Sequence, residues 1–245
     1  MGLKVNLKSI PPRHCGFGTG TQLGLSVAKS YIALYNINES IKKLSEIIGR
    51  GNRSGIGTAA FEHGGFLVDG GKGKSNHMPP LLVQHKFPEE WKILVILDTE
   101  KEGLHGSAET DAIRRLPTLN KKLSSHLCHE TLLRLLPSII EKDFKSFAIG
   151  LNEIQRIMGN YFSDLQGGSM FSSSKVDLLI SYLVRNYDVA YGQSSWGPTG
   201  FVFFESEQIL HSALDDLTKE HLVDEKLSIS ISHASNIGAT TEIGK

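Results

Sequence analysis

Pro12-Arg13-His14-Cys15-Gly16-Phe17-Gly18-Thr19-Gly20-Thr21-Gln22 is the stretch on which the reading of the fold turns. Ahead of it, Leu3 to Ser9 alternates apolar and polar residues, which predicts a half-buried strand ended by Pro11-Pro12. Behind it, Leu23, Val27, Ile32 and Leu34 recur with alanines between them, which predicts a buried helix from Gln22 to Tyr35. A helix start of this kind has a direct use. Its first turn leaves N–H groups unpaired at the positive end of the helix dipole, so it holds phosphate or pyrophosphate. Gly16, Gly18 and Gly20 let the backbone approach an anion, and Thr19 and Thr21 add hydroxyl donors. The same spacing also serves as a plain strand–helix turn. It is not a Walker loop, because no Gly-Lys-Ser/Thr follows.

Working outward, a second helix is predicted from an N-cap at Asn38 to Ile48, ended by Gly49. The loop Gly49-Arg50-Gly51-Asn52-Arg53-Ser54-Gly55 then offers two guanidinium groups for paired bonds to phosphate oxygens. Two solvated arginines at a helix end are the competing account. A short helical segment around Ala59 to Glu62 and a strand within Gly65 to Gly71 follow. Nine of the chain's 25 glycines fall between Gly49 and Gly73, so the backbone there turns tightly or meets a ligand closely. Asp69, at a strand end before Gly70-Gly71, could serve as a magnesium ligand or a base, but taken alone the residue favours turn chemistry.

Residues 72–80 are polar and rich in glycine and proline, and they divide the chain into an N-terminal part, 1–80, and a C-terminal part, 81–245. The second part reads as α+β. A buried strand covers Trp91 to Leu97, and helices are predicted over Glu109–Leu116, Leu123–Leu136, Ile140–Asn160 and Lys175–Arg185. Strands at Asp188–Tyr191 and Gly200–Phe204, a helix at Ser206–Leu217 and a strand at Lys226–His233 complete it. The connection Gly192-Gln193-Ser194-Ser195-Trp196-Gly197-Pro198-Thr199-Gly200 is long for a hairpin and carries backbone donors, two serines and an aromatic face. His126, His129 and Glu130 share a predicted helix without a further ligand, which favours a surface or core role over a metal site.

Composition narrows the function classes. Twenty-six basic residues balance twenty-six acidic ones, which argues against a general polyanion binder. Cys15 and Cys128 fit no zinc or redox spacing, and a reduced cytoplasm is the simplest setting. No apolar run approaches the roughly 18 residues of a membrane span.

Taken together, these blocks resemble a known family. The 12–22 stretch resembles the phosphate-binding motif of GHMP-type proteins, and its Gly-Thr-Gln ending is similar to that of the β-ribofuranosylaminobenzene 5′-phosphate synthase family. Residues 49–57, then Ala60-Phe61-Glu62-His63-Gly64-Gly65-Phe66-Leu67-Val68-Asp69-Gly70-Gly71, resemble that family's most recognisable block. Gln166-Gly167-Gly168 and Gln193 to Thr199 are similar to its later motifs. Phe17 and Thr19 stand where Leu and Ser are usual, and the family's further strands ahead of the glycine loop have no counterpart here. The resemblance implies a GHMP kinase-like α+β fold of two domains. The first is like domain 2 of ribosomal protein S5 and is expected to be incomplete; the second is ferredoxin-like.

The resemblance also implies a reaction: phosphoribosyl pyrophosphate condenses with 4-aminobenzoate or 4-hydroxybenzoate, with magnesium, releasing pyrophosphate and carbon dioxide early in methanopterin synthesis. It places phosphate binding at Gly16, Gly18, Thr19, Gly20, Thr21, Gln22, Arg50, Arg53 and Ser54. Catalytic roles go to Glu62 and Asp69, with Asp69 on the metal. Substrate contacts go to His14, Gln193, Ser194, Ser195 and Gly197. Small-molecule partners are expected, with a homodimer and no nucleic acid or membrane. Two rivals share the fold: an ATP-dependent small-molecule kinase and a non-catalytic phosphate-binding relative. The kinase reading calls for a Ser-Ser-Ala helix start and a third motif rich in glycine, and the chain has neither.

Overall fold

The computed structural model describes residues 2–73, 78–103, 106–195 and 197–244, arranged in two compact units. The first comprises 1–13, 18–87 and 234–245; the second comprises 14–17 and 88–233.

In the first unit, α1 (Thr19–Leu34), α2 (Ile41–Ile47) and α3 (Ile56–His63) pack together over Leu25, Ile32, Ile41, Leu44 and Phe61. A buried hydroxyl pair, Ser45 with Thr58 at 2.7 Å, ties α2 to α3. Ser40 rather than Asn38 caps α2, because its hydroxyl reaches the Lys43 N–H at 3.1 Å. Strands β1 (Phe66–Asp69) and β2 (Leu81–His85) form an antiparallel pair with a register shift between Val68 and Asp69. The expected strand over Leu3–Ser9 is absent: these residues join no ladder, and a strand needs a partner for its N–H and C=O groups. The expected division at residue 80 also moves. β2 completes the β1 pair, so the unit continues to Phe87, and residues 234–245 return to it.

That return explains part of the glycine-rich block. Gly64 and Gly65 both have positive φ, 69° and 77°, and the Gly65 N–H donates to Ser235 O at 2.7 Å. A Cβ on Gly64 would stand 2.5 Å from Ile237 O, so only glycine admits the strap. Asn236 clamps Phe87 from both sides, accepting its N–H at 2.7 Å and donating to its carbonyl at 2.9 Å. The Ala239 N–H donates to Phe61 O at 2.8 Å.

The second unit is built on an antiparallel sheet in the order β4 (Ala190–Gln193), β5 (Thr199–Phe204), β3 (Lys92–Asp98), β6 (Leu227–Ser232). Read in chain order this is the expected ferredoxin-like arrangement. Leu94 and Ile96 of β3 and Val202 and Phe204 of β5 face α8 (Ser174–Asn186) and α9 (Glu207–Lys219), burying Leu179, Leu183, Leu210 and Leu217. Phe203 points the other way and meets Phe147 edge-on, with centroids 5.4 Å apart; Trp91 backs Phe147 at 4.7 Å.

The remaining helices are α4 (Gly106–Arg115), α5 (Lys121–Glu130), α6 (Leu136–Glu141) and α7 (Phe144–Phe162). The single helix expected over Leu123–Leu136 is divided by a π turn, Thr131–Leu135, that runs into α6 at Pro137. The helix expected from Ile140 begins instead at Phe144. Lys142 turns left-handed at φ 58°, and Asp143 caps the Ser146 N–H at 3.0 Å.

Helix α7 also covers the open edge of β4. Asn152 donates to Val189 O and accepts from the Tyr191 N–H, both at 2.9 Å. Gln155 Oε1 accepts from the Gln193 N–H at 3.2 Å. Side-chain amides thus replace the missing ladder.

Candidate anion site and aromatic slot

In the first unit, α1 begins at Thr19, which is buried, and Gly20, which is exposed. Gly18, in left-handed conformation, is the N-cap, and its carbonyl accepts from Thr21 at 2.9 Å and Gln22 at 3.1 Å. The Thr19 and Gly20 N–H groups have no acceptor among the described residues. Arg50, lifted by the loop after α2, lies against this turn: a Cβ on Gly20 would stand 2.9 Å from its Nη2. Its guanidinium makes no ion pair among the described residues. Two free amides, a helix dipole and one cation therefore share one place.

Other residues expected at that site are engaged elsewhere. The Thr19 hydroxyl donates to Pro12 O at 3.1 Å, the Gln22 amide donates to Gly57 O at 2.9 Å, and Thr21 packs on Gly57. Arg53 is exposed on the same loop as Arg50. The Ser54 hydroxyl donates to Asp69 Oδ2 at 2.7 Å and accepts from the Ile56 N–H at 3.2 Å. Gly16 and His14 belong to the second unit.

Asp69 braces the loop just ahead of α3, whose N-cap is Gly55. Its Oδ2 also accepts from the Gly55 N–H at 2.8 Å, and its Oδ1 accepts from Gly71 at 3.0 Å. A cation at either oxygen would face those hydrogens. No group of three His, Cys, Asp or Glu suited to a metal occurs among the described residues. The described residues thus build no all-protein cage for magnesium, and no step is routed through one. Glu62 stands on the last turn of α3 beside His63, at 3.7 Å, whereas Asp69 holds the loop ahead of the first. At 1.5 Å rise per residue they are roughly 10 Å apart along the helix. The structure does not bring this pair together.

In the second unit the 192–200 connection is braced rather than free. The Ser194 hydroxyl donates to Gly16 O at 2.6 Å, and the Thr199 hydroxyl donates to Cys15 O at 2.7 Å. Gly197 lies so close to Cys15 that a Cβ there would strike its carbonyl. The His14 carbonyl accepts from the Gly103 N–H at 2.8 Å, and Ser195 is held at φ 45°. Trp196, expected to offer an aromatic face, lies outside the described residues. His126, partly exposed, pairs with Glu153 at 3.1 Å.

Gln193 joins the two later motifs. Its amide nitrogen donates to Gln166 Oε1, and its Oε1 accepts from the Ser172 N–H at 2.6 Å. Behind this bond lies a slot of about 120 Å³ walled by Met158, Phe162, Met170, Phe171 and Tyr191. Burial pushes the Tyr191 phenol up, partly offset by Arg156 and reinforced by Asp177, so this wall is neutral. Sequence reasoning missed the slot and the Asn236 clamp. The Gln166 and Gln193 motifs pointed toward the former; nothing in the 234–245 stretch marked the latter.

Comparison with known proteins places this geometry in a class. Residues 135–224 match the family described as GHMP kinases C terminal. Solved structures agree on the fold: mevalonate diphosphate decarboxylase from Staphylococcus aureus superposes with a TM-score of 0.62 at 16% identity, covering 90% of this chain and 65% of that one. Homoserine kinase from Cytophaga hutchinsonii gives 0.57 at 14%, covering 93% and 69%. The chain has the GHMP kinase fold.

Nearer in sequence is β-ribofuranosylphenol 5′-phosphate synthase of Methanocaldococcus jannaschii, 31% identical over 97% of this chain and 73% of the relative. The proteins of that name from Methanothermobacter thermautotrophicus and Archaeoglobus fulgidus are 31% and 29% identical, and this chain spans 60% and 66% of their lengths. The chain belongs to the β-ribofuranosylphenol 5′-phosphate synthase family, whose enzyme class is that of a pentosyltransferase. No described helix is long and apolar enough to cross a membrane.

Proposed function

We propose that this chain joins C1 of phosphoribosyl pyrophosphate to the ring carbon that bears the carboxylate of 4-hydroxybenzoate or 4-aminobenzoate. The C1–oxygen bond breaks and its electron pair leaves with pyrophosphate. The ring carbon supplies the pair for the new carbon–carbon bond, pushed by its para hydroxyl or amino group. Cleavage of the carboxylate bond then returns a pair to the ring and frees carbon dioxide. The reading extends to an early step of methanopterin synthesis in the cytoplasm, with small-molecule substrates and magnesium arriving as the counter-ion of pyrophosphate.

One observation carries the proposal: Arg50 lies against Gly20 in the first turn of α1. Negative charge grows on pyrophosphate as C1 takes on positive character, and fixed amides with a guanidinium stabilise that departing charge more than the bound ground state. The test is release of labelled carbon dioxide from carboxyl-labelled 4-hydroxybenzoate or 4-aminobenzoate, dependent on phosphoribosyl pyrophosphate. Release from either acid supports the reading. No release, with ADP formed instead from ATP and a small alcohol, would replace it with the kinase reading.

A further inference from the structure

We propose that the slot beside Gln193 is the seat of the aromatic acid, entered para end first, and that Gln155 is its specificity-determining residue, reading a hydroxyl in preference to an amino group. The inference rests on the synthase reading and assigns that substrate a place.

Size comes first. The slot encloses about 120 Å³, and a dry cavity of about 150 Å³ takes one benzene ring. It therefore suits a single six-membered ring and excludes a sugar phosphate. Two phenyl-type rings, Phe162 and Phe171, with Tyr191 and two methionines supply apolar, polarizable walls for a planar guest. No lining residue is charged. A carboxylate placed inside would lose its hydration without a counter-charge, so the neutral para end goes in and the carboxylate stays at the mouth.

Hydrogen-bond accounting picks the reader. Gln193 spends its amide on Gln166, Ser172 and the Ser195 carbonyl, and the Gln166 nitrogen reaches Met170 O at 3.4 Å. Gln155 differs. Its Oε1 accepts the Gln193 N–H, which fixes the orientation of the amide, and its Nε2 has no acceptor among the described residues. The fixed donor left on the lining is thus an N–H pair; the Tyr191 and Ser195 hydroxyls there can turn to donate or accept and so do not discriminate. A phenol oxygen accepts from it. An aniline nitrogen, whose lone pair is delocalised into the ring, accepts poorly.

The chain's four methionines make the test direct. Met158 and Met170 line the slot, whereas Met78 belongs to the first unit. With the methionine methyls carbon-13 labelled, 4-hydroxybenzoate is titrated into the whole chain, with and without magnesium pyrophosphate, and the experiment is repeated with 4-aminobenzoate. The Met158 and Met170 signals are expected to shift with Met78 unmoved, and 4-hydroxybenzoate is expected to bind about fivefold or more tightly than the amine. In Gln155→Met, damage to β4 alone would weaken both acids equally. The proposal requires instead that their affinity ratio fall toward unity. An unchanged ratio in Gln155→Met removes the reader. Unmoved Met158 and Met170 signals in a chain that still releases carbon dioxide overturn the slot and leave the synthase reading standing. A chain that neither binds nor turns over either acid overturns both.

Discussion

Arg50 and Gly20 are neighbours in space though thirty residues apart in sequence: a Cβ on Gly20 would stand 2.9 Å from the arginine's Nη2. The glycine at the second position of α1 thus makes room for a side chain. Gly20→Val is expected to displace the guanidinium and weaken phosphoribosyl pyrophosphate binding without unfolding the chain, since Gly20 is exposed. Isothermal calorimetry alongside circular dichroism checks both halves.

Asp69 accepts two hydrogen bonds from the loop ahead of α3, from Ser54 and Gly55, and a third from Gly71. Asp69→Asn should cost about 1–2 kcal/mol of stability, the scale of a lost cap. That loss should be equal in magnesium and in chelator. Urea denaturation in both buffers measures it, and a loss seen only with magnesium would restore a ligand role.

Asn236 spans both polar groups of the Phe87 backbone. Asn236→Ala removes both of these hydrogen bonds and should destabilise the first unit by about 2–3 kcal/mol. Accelerated amide exchange at Phe87 would report the loss locally.

How much of this was legible beforehand follows a physical line. The α1 start, β3, β5 and α8 were visible because each carries its own periodicity and its own punctuation, such as the glycines before Thr19. Leu3–Ser9 has the alternation of a strand, yet a strand forms only against a partner, which alternation cannot supply. The π turn at Thr131 depends on Pro137 and on tertiary packing, so a continuous helical pattern concealed it. Within the site, Arg50 was found by its charge between glycines. Glu62 and Asp69 were both singled out by the family block, yet Glu62 stands on the last turn of α3 and Asp69 binds the loop ahead of the first. Gln155 carried no signal, since a lone glutamine on a helix becomes significant only when β4 lies beside it.

Glu153 is held low, at about 2, first by hydrogen bonds from Arg156 and then by His126. A depressed carboxyl contributes stability above its ordinary value of 4.5 and loses it as pH falls toward 2. The thermal midpoint of the wild type should therefore drop across that window by more than that of Glu153→Gln. Parallel slopes in melts from pH 5 to pH 2.5 would contradict the assignment.

Cys15 is buried, and burial, then Glu102, pushes its thiol up; Cys128 is exposed. Because the thiolate is the nucleophile, iodoacetamide at pH 8 should label Cys128 at least tenfold faster than Cys15. Peptide mass mapping of the folded and urea-unfolded chain reads the ratio, which should vanish on unfolding.

The central claim is that the first turn of α1 and the Arg50 guanidinium form one seat for a sugar's pyrophosphate. Calorimetric titration of phosphoribosyl pyrophosphate, with magnesium at low salt, into the wild type and Arg50→Ala measures it. The account predicts saturable binding in the wild type and affinity at least about tenfold weaker in the variant, the scale of a lost charge-assisted bond. Equal affinity in the two proteins would contradict it.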